Sequence, residues 1–423
     1  MNINEIKSAV LEGKFDDSFQ LLYGETEIAK QRYAKACDSF IEIYPTSSDI
    51  RFFSASGRTE IGGNHTDHQH GSVLAASVNL DVIAVVSLND DSVIRIKSEG
   101  YPMDEVDIND LEKKDNENGK AIALIRGVAS RFVEAGCKLK GFNAYTISNV
   151  LKGSGLSSSA AFETLIGNIL NGMFFDNKMA PIEIAKIGQF AECDYFGKPC
   201  GLLDQMASSM GGFTYADFND PKNPICESIA LDINSFGYSL CVVDTGGDHA
   251  NLTEDYADIT RECKAISNEL GVEFLRDADE TAFYGNLAEL RKKCGDRAVL
   301  RAFHFFNEQK RVLAQYEALK QGDFEEFLKL VNESGNSSYD YLQNLYSNSN
   351  VSEQGLSLAI ALTRQFLNGK GACRVHGGGF AGTIQCYIPT EKMADYKLMI
   401  EKVFGENSCC PLSIRKVGGY EIV

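Results

Sequence analysis

Leu151-Lys152-Gly153-Ser154-Gly155-Leu156-Ser157-Ser158-Ser159-Ala160-Ala161-Phe162-Glu163 is the stretch from which the rest of this chain can be read. Its glycines remove side chains where a ligand could touch the backbone. Behind the serines, Ala161, Leu165 and Ile169 fall four apart with Ile166, Leu170 and Met173 beside them, so the pattern predicts a helix with one apolar face. The free N–H groups at the start of such a helix carry partial positive charge and suit a phosphate. Ser157, Ser158 and Ser159 add hydroxyls that can bond phosphate or ligate magnesium. The competing reading is a Ser/Gly turn that only caps a helix. No Gly-Lys-Ser/Thr closes the stretch, so it is not a Walker loop, and Ser158 stands where a Rossmann fingerprint needs its third glycine.

Working outward, Phe142 to Ser148 reads as a strand feeding this loop, and Ala121 to Ala135 as a helix before it. Residues 16 to 43 read as helices, and Ile50 to Ser56 as a short strand running into Gly57-Arg58. Asn79 to Leu88 reads as a buried strand that forms a hairpin with Ser92 to Ser98 across the turn Asn89-Asp90-Asp91. Residues 104 to 120 are charged and read as a surface loop with a short helix. Downstream, Ile182 to Tyr195 reads as a helix stopped by Gly197-Lys198-Pro199. Gly211-Gly212 and Asn219-Asp220-Pro221 mark a domain boundary. Beyond it come a strand at Ser239 to Thr245, a helix at Asp255 to Leu270, mostly helix from 281 to 346, and a strand at Thr383 to Ile388. Strands and helices mix without regular βαβ alternation, which argues for α+β.

Composition narrows the classes of function. The net charge is −18, which speaks against a nucleic-acid surface, because phosphate backbones need basic patches. An anionic ligand would therefore need helix termini, a few Lys or Arg, and a divalent cation. No apolar run is long enough for a membrane span, and the N-terminus lacks a signal-peptide pattern. The 12 cysteines contain no Cys-x-x-Cys pair and read as reduced thiols of a cytoplasmic protein.

Three further segments carry chemistry. Gly57-Arg58-Thr59-Glu60-Ile61-Gly62-Gly63-Asn64-His65-Thr66-Asp67-His68-Gln69-His70-Gly71 packs polar side chains among glycines. It reads as a clamp for a polyhydroxylated ligand; an Asx-rich turn and a metal site of His65, Asp67, His68 and His70 compete with that reading. Ala191 to Gln205 places Glu192 late in a helix and Asp204 after a Pro/Gly turn, so two carboxylates on different elements could divide metal binding and proton acceptance. Arg374-Val375-His376-Gly377-Gly378-Gly379-Phe380-Ala381-Gly382 reads as a strand-entry turn or as backbone packed against the phosphate loop.

In this order the segments resemble the GHMP small-molecule kinases, and most of all the galactokinase branch. Gly57 to Asp67 is similar to that family's Gly-Arg-x-Asn-x-x-Gly-Glu-His-Thr-Asp segment, Gly153 to Ala160 to its Gly-x-Gly-Leu-Ser-Ser-Ser-Ala loop, and Pro199 to Gln205 to its Pro-Cys-Gly-x-x-Asp-Gln segment. Gly377 to Gly382 is a looser match to its late glycine motif, and Tyr256 to its sugar-contacting tyrosine. The resemblance spans residues 16 to 390 or so. It implies a two-lobed α+β fold, an N-terminal lobe like ribosomal protein S5 domain 2 (residues 1–215) and a ferredoxin-like C-terminal lobe (residues 216–423). It implies ATP-dependent phosphorylation of the C1 hydroxyl of galactose with Mg2+, by a monomer or weak homo-oligomer that binds neither nucleic acid nor membrane. By position, Gly153, Ser154, Gly155, Leu156, Ser157, Ser158 and Ser159 would cradle the ATP phosphates, with Ser98 near the nucleotide. Ser159 and Glu192 would hold magnesium; Asp204 would face the C1 hydroxyl with Arg58 beside it; Asn64, His65, Thr66, Asp67 and Tyr256 would line the sugar pocket.

The chain departs from the family at two positions of the sugar segment. Asn64 stands where the family has Glu, and Glu60 where it has Asn. The family Glu contacts the far end of galactose, so Asn64 removes a repelling charge and opens galacturonate as a substrate. A 1-kinase for N-acetylgalactosamine, or a sugar sensor without catalysis, would fit the same segments. His68-Gln69-His70 replaces Tyr-Asn-x, and Ala381 replaces a glycine.

Overall fold

The computed structural model describes residues 2–150, 155–247, 252–348 and 350–423; Gly153 and Ser154, expected to cradle phosphate, lie outside them. The expected α+β mixture is present as two sheets with helices packed on them. The first sheet holds β1 (Arg51–Gly62), β2 (Ser72–Leu88), β3 (Val93–Ser98), β4 (Met103–Asp107), β5 (Phe142–Ser148), β6 (Phe213–Asp217), β7 (Ile225–Ile229) and β12 (Tyr420–Glu421). Its order is β12-β1-β2-β5-β3-β4, with β6 pairing the start of β2 and β7 pairing β6. The second sheet contains β8 (Tyr238–Asp244), β9 (Ala372–His376), β10 (Thr383–Pro389) and β11 (Cys409–Leu412), in the antiparallel order β11-β8-β10-β9. The first sheet thus takes β7 and β12 from beyond residue 215, whereas the second comes wholly from residues 216–423.

β1 is longer than its apolar start predicts. Phe52 and Phe53 mark its start, but it runs on through Gly57-Arg58-Thr59-Glu60, where β2 pairs with it. Irregularities between Ser56 and Arg58 and between Glu60 and Gly62 shift the register. Such bulges re-aim side chains, and these two flank the residues on which the site depends. The expected hairpin between Asn79–Leu88 and Ser92–Ser98 is not formed. β5 takes the edge of β2 from Val82 to Leu88, and β3 runs parallel on the outside of β5. Alternation marks a strand but not its neighbour, and a nonlocal strand filled the place. Part of the expected surface loop, Met103–Asp107, is β4 on β3.

The main core lies on one face of the first sheet, where Phe53, Ala55, Val82 and Ala84 meet Ile125, Val128, Leu165 and Ile169 from the Ala121–Glu134 and Ser158–Phe174 helices. The other face is covered by N-terminal helices through Ile6, Phe19, Tyr33 and Phe40 against Phe52, Ile83 and Val85. A third core joins the second sheet to the Gly355–Leu367 and Met393–Phe404 helices. All the cysteines are free thiols. Among the described residues no helix is long and apolar enough to cross a membrane.

Candidate active site

The Ser158–Phe174 helix starts at the serine loop as expected, with Ser157 left-handed at its cap (φ 55°). Gly155 is also left-handed (φ 70°), and a Cβ there would stand 3.0 Å from His376 Nδ1. Glycine is needed for both reasons, conformation and room. The backbone N–H of Arg58 donates to Leu156 O at 3.1 Å, and its Nη1 donates to Gly155 O. The other end of the same guanidinium, Nε, donates to Asp204 Oδ1 at 2.6 Å. One arginine therefore ties the serine loop to the candidate base.

Asp204 lies in the first turn of the short Leu203–Met210 helix. Burial raises its carboxyl, but the charge of Arg58, hydrogen bonds from Arg58 and Ser157, and the charge of Lys198 outweigh that and hold it below the usual carboxylate range. Its side chain keeps 33% of its surface open, against 9% for Arg58, so the acid faces the cleft and the arginine backs it.

Glu192 sits where the Pro181–Phe190 helix widens into a π turn over Ala191–Phe196, closed by left-handed Gly197. The sequence periodicity predicted one plain helix here. An inserted residue of this kind re-aims side chains and is frequent at functional sites. Glu192 Oε1 accepts from Ser159 Oγ at 3.0 Å and from Lys198 Nζ at 2.9 Å, and Oε2 accepts from Gln205 Nε2 at 2.7 Å. Gln205 Nε2 also reaches Glu163 Oε2 at 3.0 Å, and the Glu163 carboxyl is pushed well up by burial and then by Glu192. Ser159 and Glu192 thus offer two hard oxygen donors side by side, the chemistry that magnesium prefers.

Two cavities flank the loop. One, of 810 Å³, is lined by Ser98, Tyr101, Leu124, Phe162 and Phe196 together with Ser158 and Ser159. Apolar walls beside the serine loop suit a nucleotide base, and Ser98 is one of the residues that line them. The other, of 330 Å³, is bounded by Arg58, Glu60, Asn64, His65, Asp67 and Asp204, with Lys198, Gly201 and Gly377-Gly378. The candidate base therefore opens into the cavity that the sugar segment lines.

The sugar-segment residues divide. His65, left-handed at φ 60°, places Nε2 2.8 Å from Gly378 O, so that nitrogen carries the proton and donates. Burial, then His68, lower its pKa to about 4, so the ring is neutral near pH 7. Asp67 lies against Gly201, where any Cβ would overlap its Oδ2. Thr66 turns inward and donates to Gly63 O and Ser72 O at 2.9 and 2.7 Å, so it shapes the turn rather than the pocket. Tyr256 packs behind Gly378 and donates to Gly379 O at 2.7 Å. Asn64 borders the cavity, but its amide is occupied: Nδ2 donates to Glu60 Oε1 at 2.9 Å and Gly377 O at 2.8 Å, and Oδ1 accepts from Asn344 at 2.7 Å. The exchange of Glu and Asn seen in the sequence is thus a contact in space, and the wall beside Asn64 keeps a carboxyl group, on Glu60, paired with Arg374. Burial raises the Glu60 carboxyl, against Arg374, Arg58 and the Asn64 hydrogen bond.

The metal reading of the histidines fails. Among the described residues no group of three or more His, Cys, Asp or Glu could hold an ion. His70 stacks on Phe274 at 3.6 Å between centroids. Sequence reasoning gave no role to Lys198, Gln205, Arg374 or His376. His376 Nε2 accepts from the Glu60 N–H at 3.2 Å and Nδ1 meets Thr383 Oγ1 at 2.9 Å, so a neutral ring joins β1 to β10 directly behind Arg58. A lone histidine before three glycines carries no signal of that role.

The GHMP kinases N terminal domain matches residues 123–212, and the galactokinase galactose-binding signature matches residues 38–88. A galactokinase from Actinobacillus pleuropneumoniae is 30% identical over 381 residues, covering 88% of this chain and 92% of the relative. The structure of Lactococcus lactis galactokinase complexed with galactose superposes with a TM-score of 0.76 at 23% identity, covering 92% of this chain and 99% of that one. Methanococcus jannaschii mevalonate kinase superposes with a TM-score of 0.60 at 14% identity, covering 86% and 98%.

Proposed function

The chain belongs to the galactokinase family of GHMP kinases, and from that premise we propose that it transfers the terminal phosphoryl group of ATP to the C1 hydroxyl of galactose, giving galactose 1-phosphate and ADP. The observation that carries this reading is the double grip of Arg58, with Asp204 at one end of its guanidinium and the phosphate loop at the other. A hydroxyl on Asp204 would stand beside the loop that presents the phosphate.

Phosphoryl transfer asks a protein for positioning and charge neutralisation more than covalent help. The C1 oxygen attacks the terminal phosphorus, the bond to the bridging oxygen breaks, and the hydroxyl proton passes to Asp204. Held ionised by Arg58, Asp204 is a weak base, so it mainly orients the hydroxyl and takes the proton as the P–O bond forms. Arg58 and the N–H groups at the start of the Ser158–Phe174 helix stabilise the charge on the moving group. Ser159 and Glu192 would hold magnesium, which supplies further neutralisation when bound. His65 and Asp67 would bond sugar hydroxyls, Asn64 and Tyr256 would support the walls, and Thr66 would hold the turn that carries them. Residues 1–215 and 216–423 are proposed as the two lobes, with the cleft between them. A reducing cytoplasm suits the twelve free thiols.

A coupled assay of ADP release with galactose, galacturonate and N-acetylgalactosamine tests the proposal, with phosphorus NMR to locate the ester. Anomeric phosphate with galactose is expected. No ADP release with galactose, or an ester at another hydroxyl, would refute it.

A further inference from the structure

The amide of Asn64 has no hydrogen-bonding capacity left for a ligand. Both of its protons go to Glu60 Oε1 and Gly377 O, its oxygen accepts from Asn344 Nδ2 at 2.7 Å and from Ser338 Oγ at 3.4 Å, and the residue is 1% exposed. Glu60 is in the opposite condition. Its Oε1 accepts from Asn64 Nδ2 and from Arg374 Nη2, each at 2.9 Å. Its Oε2 has no hydrogen-bond partner among the described residues, yet it is not one of the sealed, unpartnered atoms, and Glu60 borders the 330 Å³ cavity. One oxygen is pinned and the other faces the space where the sugar would sit.

The pin is strong. Arg374 is completely buried, and its Nε and Nη1 have no partner among the described residues, so Nη2 to Glu60 is the hydrogen bond it keeps. A desolvated guanidinium holds its counter-ion tightly. Charge is also divided along the cavity. Arg58 and Lys198 stand at the Asp204 end and are both engaged, with Asp204 and Glu192 respectively. Glu60 and Asp67 bound the rest of it. Ionised carboxylates only accept hydrogen bonds, so this wall matches O–H donors, and among the described residues the Lys and Arg side chains beside it are already paired with Glu60, Asp204 and Glu192.

On the footing that the cavity takes the hexose, we propose that Glu60 is the carboxylate that reads the sugar hydroxyls and excludes uronic acids, and that Asn64 is its positioning residue. The exchange of Glu and Asn relative to the family therefore relocates the acid without neutralising the pocket. The substrate class is the neutral hexose, and galacturonate is rejected despite the asparagine at position 64.

The test compares galactose with galacturonate on the full-length protein with ATP and magnesium. Wild-type enzyme should favour galactose in kcat/KM by about a hundredfold or more, since a like charge in a confined site is strongly disfavoured. Glu60→Gln should raise the galactose KM about tenfold, as expected for losing a charged acceptor, leave the ATP KM in place, and shrink the bias against galacturonate. Asn64→Glu sets two carboxylates in contact and should also raise the sugar KM. Glu60→Gln/Asn64→Glu restores one acid and one amide and should recover much of the loss. Melting temperatures identify any variant that fails because Arg374 has lost its counter-ion, and the wild-type preference needs no variant at all. Galacturonate turned over as well as galactose, an unchanged galactose KM in a folded Glu60→Gln, or strictly additive losses in the double variant would overturn this assignment alone. An enzyme that phosphorylates no hexose would overturn it together with the proposed function.

Discussion

Asp204→Asn removes one negative charge from the cleft and almost no volume. The amide oxygen can still accept from Arg58 Nε at the observed 2.6 Å, so the loop stays tethered through Arg58. What disappears is the proton acceptor facing the C1 hydroxyl. Loss of a positioned acid–base group costs about 10²–10⁴-fold in rate, or about 3–5 kcal/mol of barrier. The lost ion pair costs stability as well. A fully buried pair broken on one side costs about 3–5 kcal/mol, but a third of the Asp204 side chain is open to solvent, so about 1–2 kcal/mol is the discounted expectation. Single-turnover quench of radiolabelled ATP measures the chemical step; nucleotide binding by calorimetry measures the other half of the claim. The expected pattern is a collapse in kcat with ATP affinity intact. A variant that keeps wild-type kcat, or that loses ATP binding along with it, would falsify the role assigned to Asp204. The pH profile gives a second check. Because the folded Asp204 carboxyl lies below its ordinary value, it stays ionised above about pH 4. No acid limb in kcat/KM should arise from it above that pH.

The other expectations concern the loop, the ion and acid stability. Gly155→Ala forces a side chain onto a left-handed residue 3.0 Å from His376 Nδ1, and should raise the ATP KM more than the sugar KM in steady-state kinetics. Glu192→Gln leaves Ser159 a neutral partner and should raise the magnesium concentration for half-maximal rate by about tenfold or more, read from a metal titration. His65, His304 and His376 all have lowered pKa values, with burial the first cause. Between their folded values, about 4 for His65, and the unfolded value near 6.5, the unfolded chain binds more protons, so stability should fall as pH drops from 7 to 5. Urea titrations should show up to about 1.4 kcal/mol lost per pH unit for each such histidine. The lowered Glu308 carboxyl acts separately: its contribution is lost only below pH 4.5, as pH falls towards about 2. Glu163, whose raised carboxyl favours the folded state as pH falls, works against this trend, so the comparison is made in Glu163→Gln, where equal stability at pH 7 and 5 would contradict the neutral buried state of these rings.

Much of the site was legible because its chemistry is written in short segments. Glycines and serines before an apolar helix mark either a helix-capping turn or a candidate phosphate loop, and the left-handed Gly155 and Ser157 show why the pattern is local. The acids of the Ala191–Gln205 segment were legible as a pair, although the π turn that aims Glu192 was not, since one extra residue hardly disturbs a helical pattern. The strand at Ser92–Ser98 was legible, but its neighbour was not, because β5 competes for the same edge from a distant part of the chain.

The sugar segment separates the two kinds of knowledge most sharply. Local residue chemistry pointed to a candidate phosphate loop, a candidate polyol-binding segment and a pair of acids, and the family resemblance set Arg58 beside one of them. Which side chains of that segment see the ligand was decided in three dimensions. Asn64 is used up by Glu60 and by Asn344, 280 residues away, and Glu60 is turned and pinned by Arg374, 314 residues away. A side chain's direction on a bulged strand follows from the partners that satisfy it when water is excluded, and those partners come from the second sheet and from the helices packed around it.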